Sequence, residues 1–119
     1  MTKEELEDRL IDFSVLIIEI AESLPNTKVG NHIAGQIIRS GTSPAFNYGE
    51  AQDAESTNDF IHKIKIVLKE LRETFVAIKI IKRAKLFDQL DKLDKAYQEN
   101  NELLAIFVST VKTSRGKQN

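Results

Sequence analysis

The chain has 119 residues, 41% of them hydrophobic and 29% charged, which is ordinary usage for one globular domain with its own core. Its 17 basic and 18 acidic residues nearly cancel to a net charge of −1, so bulk charge alone would not hold it on nucleic acid. The absence of cysteine excludes disulfides, thiolate zinc sites and thiol catalysis.

The amino-terminal sequence favours a cytoplasmic protein. Residues 1–10 are acidic and polar, unlike a secretory signal peptide. The apolar run at 14–21 contains Glu19 and is too short to span a bilayer. We therefore expect no membrane attachment, and the lack of cysteine fits a reducing cytoplasm.

The first predicted helix covers about residues 3–24. Thr2 and Glu5 have the spacing of a capping box, in which each side chain bonds the other residue's backbone N–H. Pro25 and Asn26 end the segment. Apolar residues at alternating spacings of four and three predict its core face: Leu6, Leu10, Phe13, Ile17, Ile20 and Leu24.

The second predicted helix covers about residues 28–54 and contains the unusual stretch 39–51, RSGTSPAFNYGEA. Apolar and small residues stay in helical step through this stretch. Pro44 removes one backbone hydrogen bond, and Gly41 nearby lets a bend form. We predict a continuous helix that is kinked near Pro44. A break is the alternative, because proline disfavours α geometry at the preceding Ser43. Four small residues would let a neighbouring helix approach closely: Gly30, Ala34, Gly41 and Ala45.

The third and fourth predicted helices cover about residues 58–84 and 89–113. Ser56 or Thr57 can cap the third helix, and Asp88 is the expected cap of the fourth. The predicted core face of the third helix consists of Phe60, Ile64, Val67, Leu71, Phe75 and Ile78. That of the fourth consists of Leu90, Leu93, Tyr97, Leu104, Val108 and Val111, with Asn101 as a polar interruption.

Four amphipathic segments with short connections predict an all-α fold, an antiparallel up-down-up-down four-helix bundle. No segment of useful length alternates with period two, as a half-buried strand would. We assign residues 1–113 to a single bundle and residues 114–119 to a flexible C-terminal tail.

The first segment carries more apolar surface than one core face needs. Ile11, Val15 and Ile18 form a second stripe, here called the apolar patch, about 120–180° around the helix from the core face. The third segment has a similar surplus: Ile66, Val76 and Ile80. Either a wide bundle core absorbs these residues or, as we predict, the apolar patch is an interface between copies of the chain.

The sequence lacks the residue patterns of the common classes of catalytic site. Neither His32 nor His62 is paired locally with a nucleophile. Asp59 and His62 have the i,i+3 spacing of half a di-metal bundle motif, but a second such motif is missing. There is no glycine-rich phosphate loop and no zinc-binding spacing. We predict no enzyme activity, no metal, no cofactor and no small-molecule substrate.

Charge is unevenly distributed along the chain. Residues 1–22 hold seven acids and two bases, whereas residues 57–85 hold eight bases and three acids. Five bases fall within about 80° of helical arc opposite the third core face and are here called the basic stripe: Lys65, Lys69, Arg72, Lys79 and Arg83. The stripe is either a solvated face, balanced by Glu70, Glu73 and the acidic first helix of a neighbour, or a surface for RNA phosphates.

A series of short elements runs from the Leu-Pro at 24–25 to the S-x-x-D-F helix start at 56–60 and the Glu70-Leu71 pair that follows it. The elements between 25 and 56 are Gln36, Arg39, Ser40, Ser43, Asn47, Tyr48, Glu50 and Ala51. Over residues 23–74 this pattern resembles the four-helix-bundle family named for 23S rRNA intervening sequences, to which accessory proteins of diversity-generating retroelements are related. We interpret four motif residues as polar links between helices or subunits: Arg39, Ser43, Asn47 and Glu50.

The resemblance implies an antiparallel bundle that assembles as a ring, commonly a pentamer, in a bacterial cell. It does not imply an enzyme, since the intervening-sequence members have no established activity. The retroelement relatives look like nucleic-acid and reverse-transcriptase partners with strongly basic surfaces, from which this chain departs by its net charge of −1. It also has Pro44, Phe46 and Gly49 where the family usually has an aliphatic residue, a small residue and often an arginine. Losing that arginine weakens the expectation of nucleic-acid binding by this helix.

Two functions therefore compete. The first is a non-enzymatic, ring-forming bundle that binds RNA or a nucleoprotein partner through the basic stripe. The alternative is an oligomeric scaffold or protein-interaction module with no nucleic-acid role.

Overall fold

Four α-helices make up the computed structural model, which describes residues 1–117. They are α1 (Lys3–Glu22), α2 (Lys28–Ala51), α3 (Thr57–Arg83) and α4 (Leu90–Gly116), and this part of the chain contains no strand. The prediction of an all-α four-helix bundle is confirmed. No helix within residues 1–117 is both long and apolar enough to cross a membrane.

Hydroxyl side chains begin three of the four helices. Thr2, Thr27 and Ser56 have extended backbone geometry and accept hydrogen bonds of 3.0–3.1 Å from the backbone N–H three residues further on. Each oxygen satisfies one of the four amides that a helix start leaves without an intrahelical partner. Of the two predicted caps of α3, Ser56 is the one used.

The ends of α4 differ from the prediction. Asp88 is not its cap, because the helix begins at Leu90 with Gln89 in the capping position and no side-chain cap hydrogen bond. At the other end α4 continues through Gly116, so residues 114–116 are helical and not part of a tail. Residues 118–119 of the predicted tail lie outside the described part.

Ion pairs show how the helices are oriented. Lys92 near the start of α4 lies 2.6 Å from Glu19 near the end of α1. Glu99, about two turns further along α4, contacts Arg9 in the first half of α1 at 2.7 Å. The α1 and α4 helices are therefore antiparallel. The hydrogen bond to Glu99 also raises the pKa of the Arg9 guanidinium above its ordinary value. Helices of 20–27 residues, about 30–40 Å long, lie along a particle of 50 × 23 × 21 Å.

The predicted core faces of α1 and α3 are confirmed. Five of the six predicted α1 residues are buried, with Leu24 half-buried at the end. In α3 the central residues of the predicted face are buried, while Phe60 and Phe75 are half-buried. The α3 face is wider than predicted, because Ile61, Leu68 and Ile81 beside the predicted line are buried as well.

The predicted core face of α4 is wrong by one residue through its middle. The buried residues are Leu93, Ala96, Asn100, Leu103, Phe107 and Val111. Asn101 is exposed and Asn100 is buried, Leu90 is exposed, and Tyr97, Leu104 and Val108 are only half-buried. The prediction followed the line of large apolar residues, whereas the buried line includes an alanine and an asparagine. In the observed rotation the buried Phe107 ring meets Tyr48 of α2 edge-on, with centroids 5.6 Å apart.

Helix α2 is continuous through Pro44, which is buried. The kink near this residue stays a prediction. Where α2 crosses α1 the backbones are close, because a Cβ built on Gly41 would lie 2.5 Å from Cγ2 of Ile17. The hydroxyl of Ser14 in α1 donates to the Gly41 carbonyl at 3.2 Å. Gly41 therefore permits close helix approach, as its position predicted.

Candidate nucleic-acid interface

The basic stripe lies on the outward side of α3. Lys65, Lys69, Arg72 and Arg83 are exposed. Lys79 is half-buried, and its Nζ atom lies 4.2 Å from the centroid of the Phe75 ring, a cation–π contact. Four stripe cations are thus open to solvent, and the fifth is held toward α4.

The two acids expected to balance the basic stripe have another partner. Arg39 of α2 contacts Glu70 at 2.8 Å and Glu73 at 2.5 Å. The hydrogen bond to Glu73, together with the negative charge of Glu70, raises the pKa of the Arg39 guanidinium above its ordinary value. Within residues 1–117, no stripe cation has a carboxylate oxygen within 4.0 Å. Among the described residues, Glu70 and Glu73 therefore form their ion pairs with Arg39 and not with the basic stripe.

The four motif residues of α2 make polar contacts, two of them between helices. Arg39 pairs with α3 as described, and Glu50 accepts a hydrogen bond of 2.7 Å from Lys63 of α3. The side-chain amide of Asn47 donates to the Ser43 hydroxyl and carbonyl one turn earlier, at 2.8 and 3.0 Å. These contacts hold α2 in shape and against α3.

The apolar patch of α1 is at the surface. Ile11, Val15 and Ile18 are 45%, 47% and 38% exposed. Three exposed acids share this side of the helix within about 80° of arc and lie beyond the ends of the patch: Glu4, Glu7 and Glu22. Phe46 of α2 is 72% exposed. A helix with an apolar centre and acidic ends is thus presented to solvent.

The outward side of α3 has the opposite charge around a similar centre. Val76 and Ile80 are exposed within the basic stripe, with Arg72 before them and Arg83 after them along the helix. Ile66, the third off-face residue, is half-buried. The α1 and α3 faces are therefore complementary in charge and alike in their apolar centres.

Both histidines lie at the surface of the described structure. His32 and His62 are exposed on α2 and α3. Across residues 1–117 there is no group of three or more His, Asp or Glu side chains placed to hold a metal ion.

Two further cations were missed by sequence reasoning. Lys82 and Lys85 lie at the end of α3, where Lys79 and Arg83 of the basic stripe line the same groove. The K-R-A-K run at 82–85 could have indicated these cations in the sequence. The search for bases along one face of the helix missed Lys85 because this residue lies beyond the end of α3. The basic surface is therefore broader at the end of α3 than the stripe.

Comparison with known proteins identifies the family of this bundle. The profile of the 23S rRNA-intervening sequence protein family matches residues 4–109. The chain belongs to this family. A solved structure with the same fold is a protein with unknown function from the S23 ribosomal protein family of Bacteroides thetaiotaomicron VPI-5482, 29% identical, with a TM-score of 0.84. The match covers 94% of this chain and 99% of that one. No curated protein matches the chain significantly. The predicted family resemblance is confirmed.

Proposed function

We propose that this intervening-sequence family member is a non-enzymatic cytoplasmic bundle that binds RNA, or RNA within a nucleoprotein, through the basic stripe. The observation that carries the proposal is the stripe's lack of internal charge partners, since Arg39 engages both nearby acids. Arg72, Lys69 and Lys65 are exposed on successive turns, a spacing that suits contacts with the phosphate backbone. Such contacts give little sequence preference.

Self-association is the second part of the proposal. The apolar patch exposes three large aliphatic side chains on one helix face, which a second copy would cover. A ring, such as the pentamer that the family resemblance implies, would also repeat the basic stripe around its circumference. Repetition would offset the near-neutral charge of the single chain.

The charge complementarity of α1 and α3 favours a competing scaffold function. If the acidic ends of the α1 face pair with the basic stripe of the next copy, the stripe is an interface between copies and not an RNA surface. A head-to-tail contact of this kind joins different faces and closes into a ring when the rotation permits.

A filter-binding titration with structured RNA tests the RNA role. We expect affinity to fall steeply between two salt concentrations, and Lys65→Ala/Lys69→Ala/Arg72→Ala to weaken binding about tenfold or more and to flatten the salt dependence. The control removes three exposed cations of α4: Lys95→Ala/Lys112→Ala/Arg115→Ala. Equal losses in the two triple variants would contradict the assignment to α3.

Light scattering tests the oligomer and separates the two functions. We expect the wild type to exceed the monomer mass at micromolar concentration, and Val15→Asp to reduce it, while Val29→Asp, at an exposed valine of α2, does not. A monomeric wild type would refute self-association. If the α3 triple variant also becomes monomeric, the scaffold function is favoured over RNA binding.

A further inference from the structure

A groove of about 750 Å³ lies between the last turns of α3 and the first turns of α4, and is here called the α3–α4 groove. Its volume falls within the range of small-molecule sites, roughly 300–1,000 Å³. Its apolar side is formed by the buried Ile78 and Leu93 and the half-buried Tyr97. The Tyr97 ring is supported from behind by Phe75, with centroids 5.0 Å apart. Ile78 and Leu93 are each only 1% exposed, so the Tyr97 ring is the main apolar surface that a ligand in the groove can contact.

Four cations line the α3–α4 groove against one carboxylate. They are Lys79, Lys82, Arg83 and Lys85, and the carboxylate is Asp94. Asp94 lies 3.5 Å from Lys82, which leaves Arg83 and Lys85 without an ion pair among the described residues. The excess positive charge suits a phosphate group.

The other grooves of the described structure are less positive. The groove between α2 and α3, of about 570 Å³, has Lys69 and Arg72 beside Glu73. The groove between α1 and α4 includes the acids Asp12, Glu99 and Glu102 with the single cation Lys95. Only the α3–α4 groove, among these three, joins an apolar surface to a strong excess of cations.

Lys85 occupies an unusual backbone position. Its φ angle is 55°, in the left-handed region, and it follows Ala84, the C-cap of α3, at a helix end closed by a hydrogen bond from Leu86 N–H to the Ile81 carbonyl. Glycine is the favoured residue at this position because a Cβ atom is disfavoured there. A lysine here is suboptimal for the fold, yet it adds the fourth cation to the groove.

We propose that the α3–α4 groove binds a nucleotide, with the phosphate held by Lys82, Arg83 and Lys85 and the base against Tyr97. The ligand is either a free nucleoside monophosphate or the 5′-phosphorylated end of an RNA strand, which present the same chemistry. The groove shares Lys79 and Arg83 with the basic stripe. The proposal does not require RNA binding along the rest of the stripe.

Calorimetric titration with adenosine 5′-monophosphate, and with a short RNA carrying a 5′-phosphate or a 5′-hydroxyl, tests the groove. Saturable binding of the mononucleotide identifies a free nucleotide as the ligand. Tighter binding of the phosphorylated strand, by about fivefold or more, without mononucleotide binding identifies the strand end. Absence of mononucleotide binding together with equal affinities for the two strands overturns the proposal.

Lys85→Gly separates a binding role from a structural one. We expect it to weaken ligand binding about 3- to 10-fold while the thermal unfolding midpoint stays the same or rises, because glycine fits the left-handed position. Lys82→Gln should weaken binding as well. Lys112→Gln, at an exposed lysine of α4 outside both the groove and the basic stripe, is the matched control and should leave mononucleotide binding and 5′-end discrimination unchanged. Equal weakening by Lys112→Gln and Lys85→Gly would overturn the site assignment.

These variants also distinguish the groove from the basic stripe. RNA binding along the stripe depends on Lys65 and Lys69 and does not require a 5′-phosphate. Binding in the groove depends on Lys82 and Lys85 and requires a 5′-phosphate. If one of the two binding modes is absent, the other can still be measured.

Discussion

Helix α2 contacts its two sequence neighbours in opposite ways. Against α1 it uses close steric fit, with Gly41 facing the Ile17 side chain and the Ser14 hydroxyl bonding to the Gly41 carbonyl. Against α3 it uses polar pairs. The α1–α2 contact should therefore respond to side-chain volume, whereas the α2–α3 contact should respond to loss of a polar partner.

The polar α2–α3 contact extends into the core. The hydroxyls of Ser40 and Thr74, both fully buried, lie 2.9 Å apart. The Thr74 hydroxyl donates its one proton to the Glu70 carbonyl at 2.9 Å, so the Ser40 hydroxyl is the donor to Thr74. The Glu70 side chain is nearly buried and faces Arg39. Buried polar groups of this kind stabilise a fold only while each has its partner.

The largest effect is expected from added volume at the α1–α2 contact. Gly41→Ala should lower the free energy of unfolding by about 2–3 kcal/mol, since the new methyl overlaps Ile17 and the core must shift. Gly35→Ala makes the same chemical change on an open side of α2 and should raise it by about 0.5–1 kcal/mol. Urea unfolding measures both, and the same sign for the two variants would refute the close-approach explanation.

Next in size is the removal of the Arg39 cation. Arg39→Met should lower the free energy of unfolding by about 2 kcal/mol, because the nearly buried Glu70 loses its charge partner. Lys63→Met breaks the pair with Glu50, whose side chain is well exposed, and should change stability by less than about 0.5 kcal/mol. Denaturant titration of both variants makes the comparison. A smaller loss in the Arg39 variant would show that burial of Glu70 is unimportant.

Replacing a buried polar group that has no hydrogen-bond partner should stabilise the protein. Neither side-chain polar atom of Asn100 has a hydrogen-bond partner among residues 1–117, and the residue is 0% exposed. Asn100→Leu should therefore raise the free energy of unfolding by about 1–2 kcal/mol. Asn101→Leu, one residue away at the surface, should have little effect. If Asn101→Leu raised the thermal unfolding midpoint more than Asn100→Leu, the rotation of α4 predicted from the sequence would be favoured over the observed one.

The smallest effect is expected at the hydroxyl pair. Thr74→Val keeps the side-chain shape but leaves the buried Ser40 hydroxyl without this partner, which should cost about 1 kcal/mol. Thr110→Val is the control, because that hydroxyl bonds only the Ile106 carbonyl of its own helix and is half-buried. Equal losses on urea unfolding would mean that the contact between Ser40 and Thr74 adds nothing to α2–α3 pairing.

Local patterns were enough to predict most of the fold. Heptad-like spacing in α1 and α3 identified their buried faces, and the hydroxyl residues at Thr2 and Ser56 marked two helix starts. These features depend on residues within one or two turns of each other, so no knowledge of neighbouring helices was needed. The exposed basic stripe and apolar patch followed from the same periodicity.

Other features depend on partners far apart in sequence. Arg39 is the ion-pair partner of Glu70 and Glu73. It lies 31 residues before Glu70 in the sequence, on the α2 helix alongside α3. The α3–α4 groove exists only because the end of α3 and the start of α4 are packed together.

The sequence by itself determined four amphipathic helices, their family and the faces of the helices whose apolar residues lie on one line. Tertiary structure decided the rotation of α4, where two lines of residues competed and the one containing Asn100 is buried, with Phe107 packed on Tyr48. It also decided which charges stay free. The physical reason is the same in both cases: periodicity reports the apolar side of a helix, while only contacts between helices determine which competing side is buried and which ions are paired.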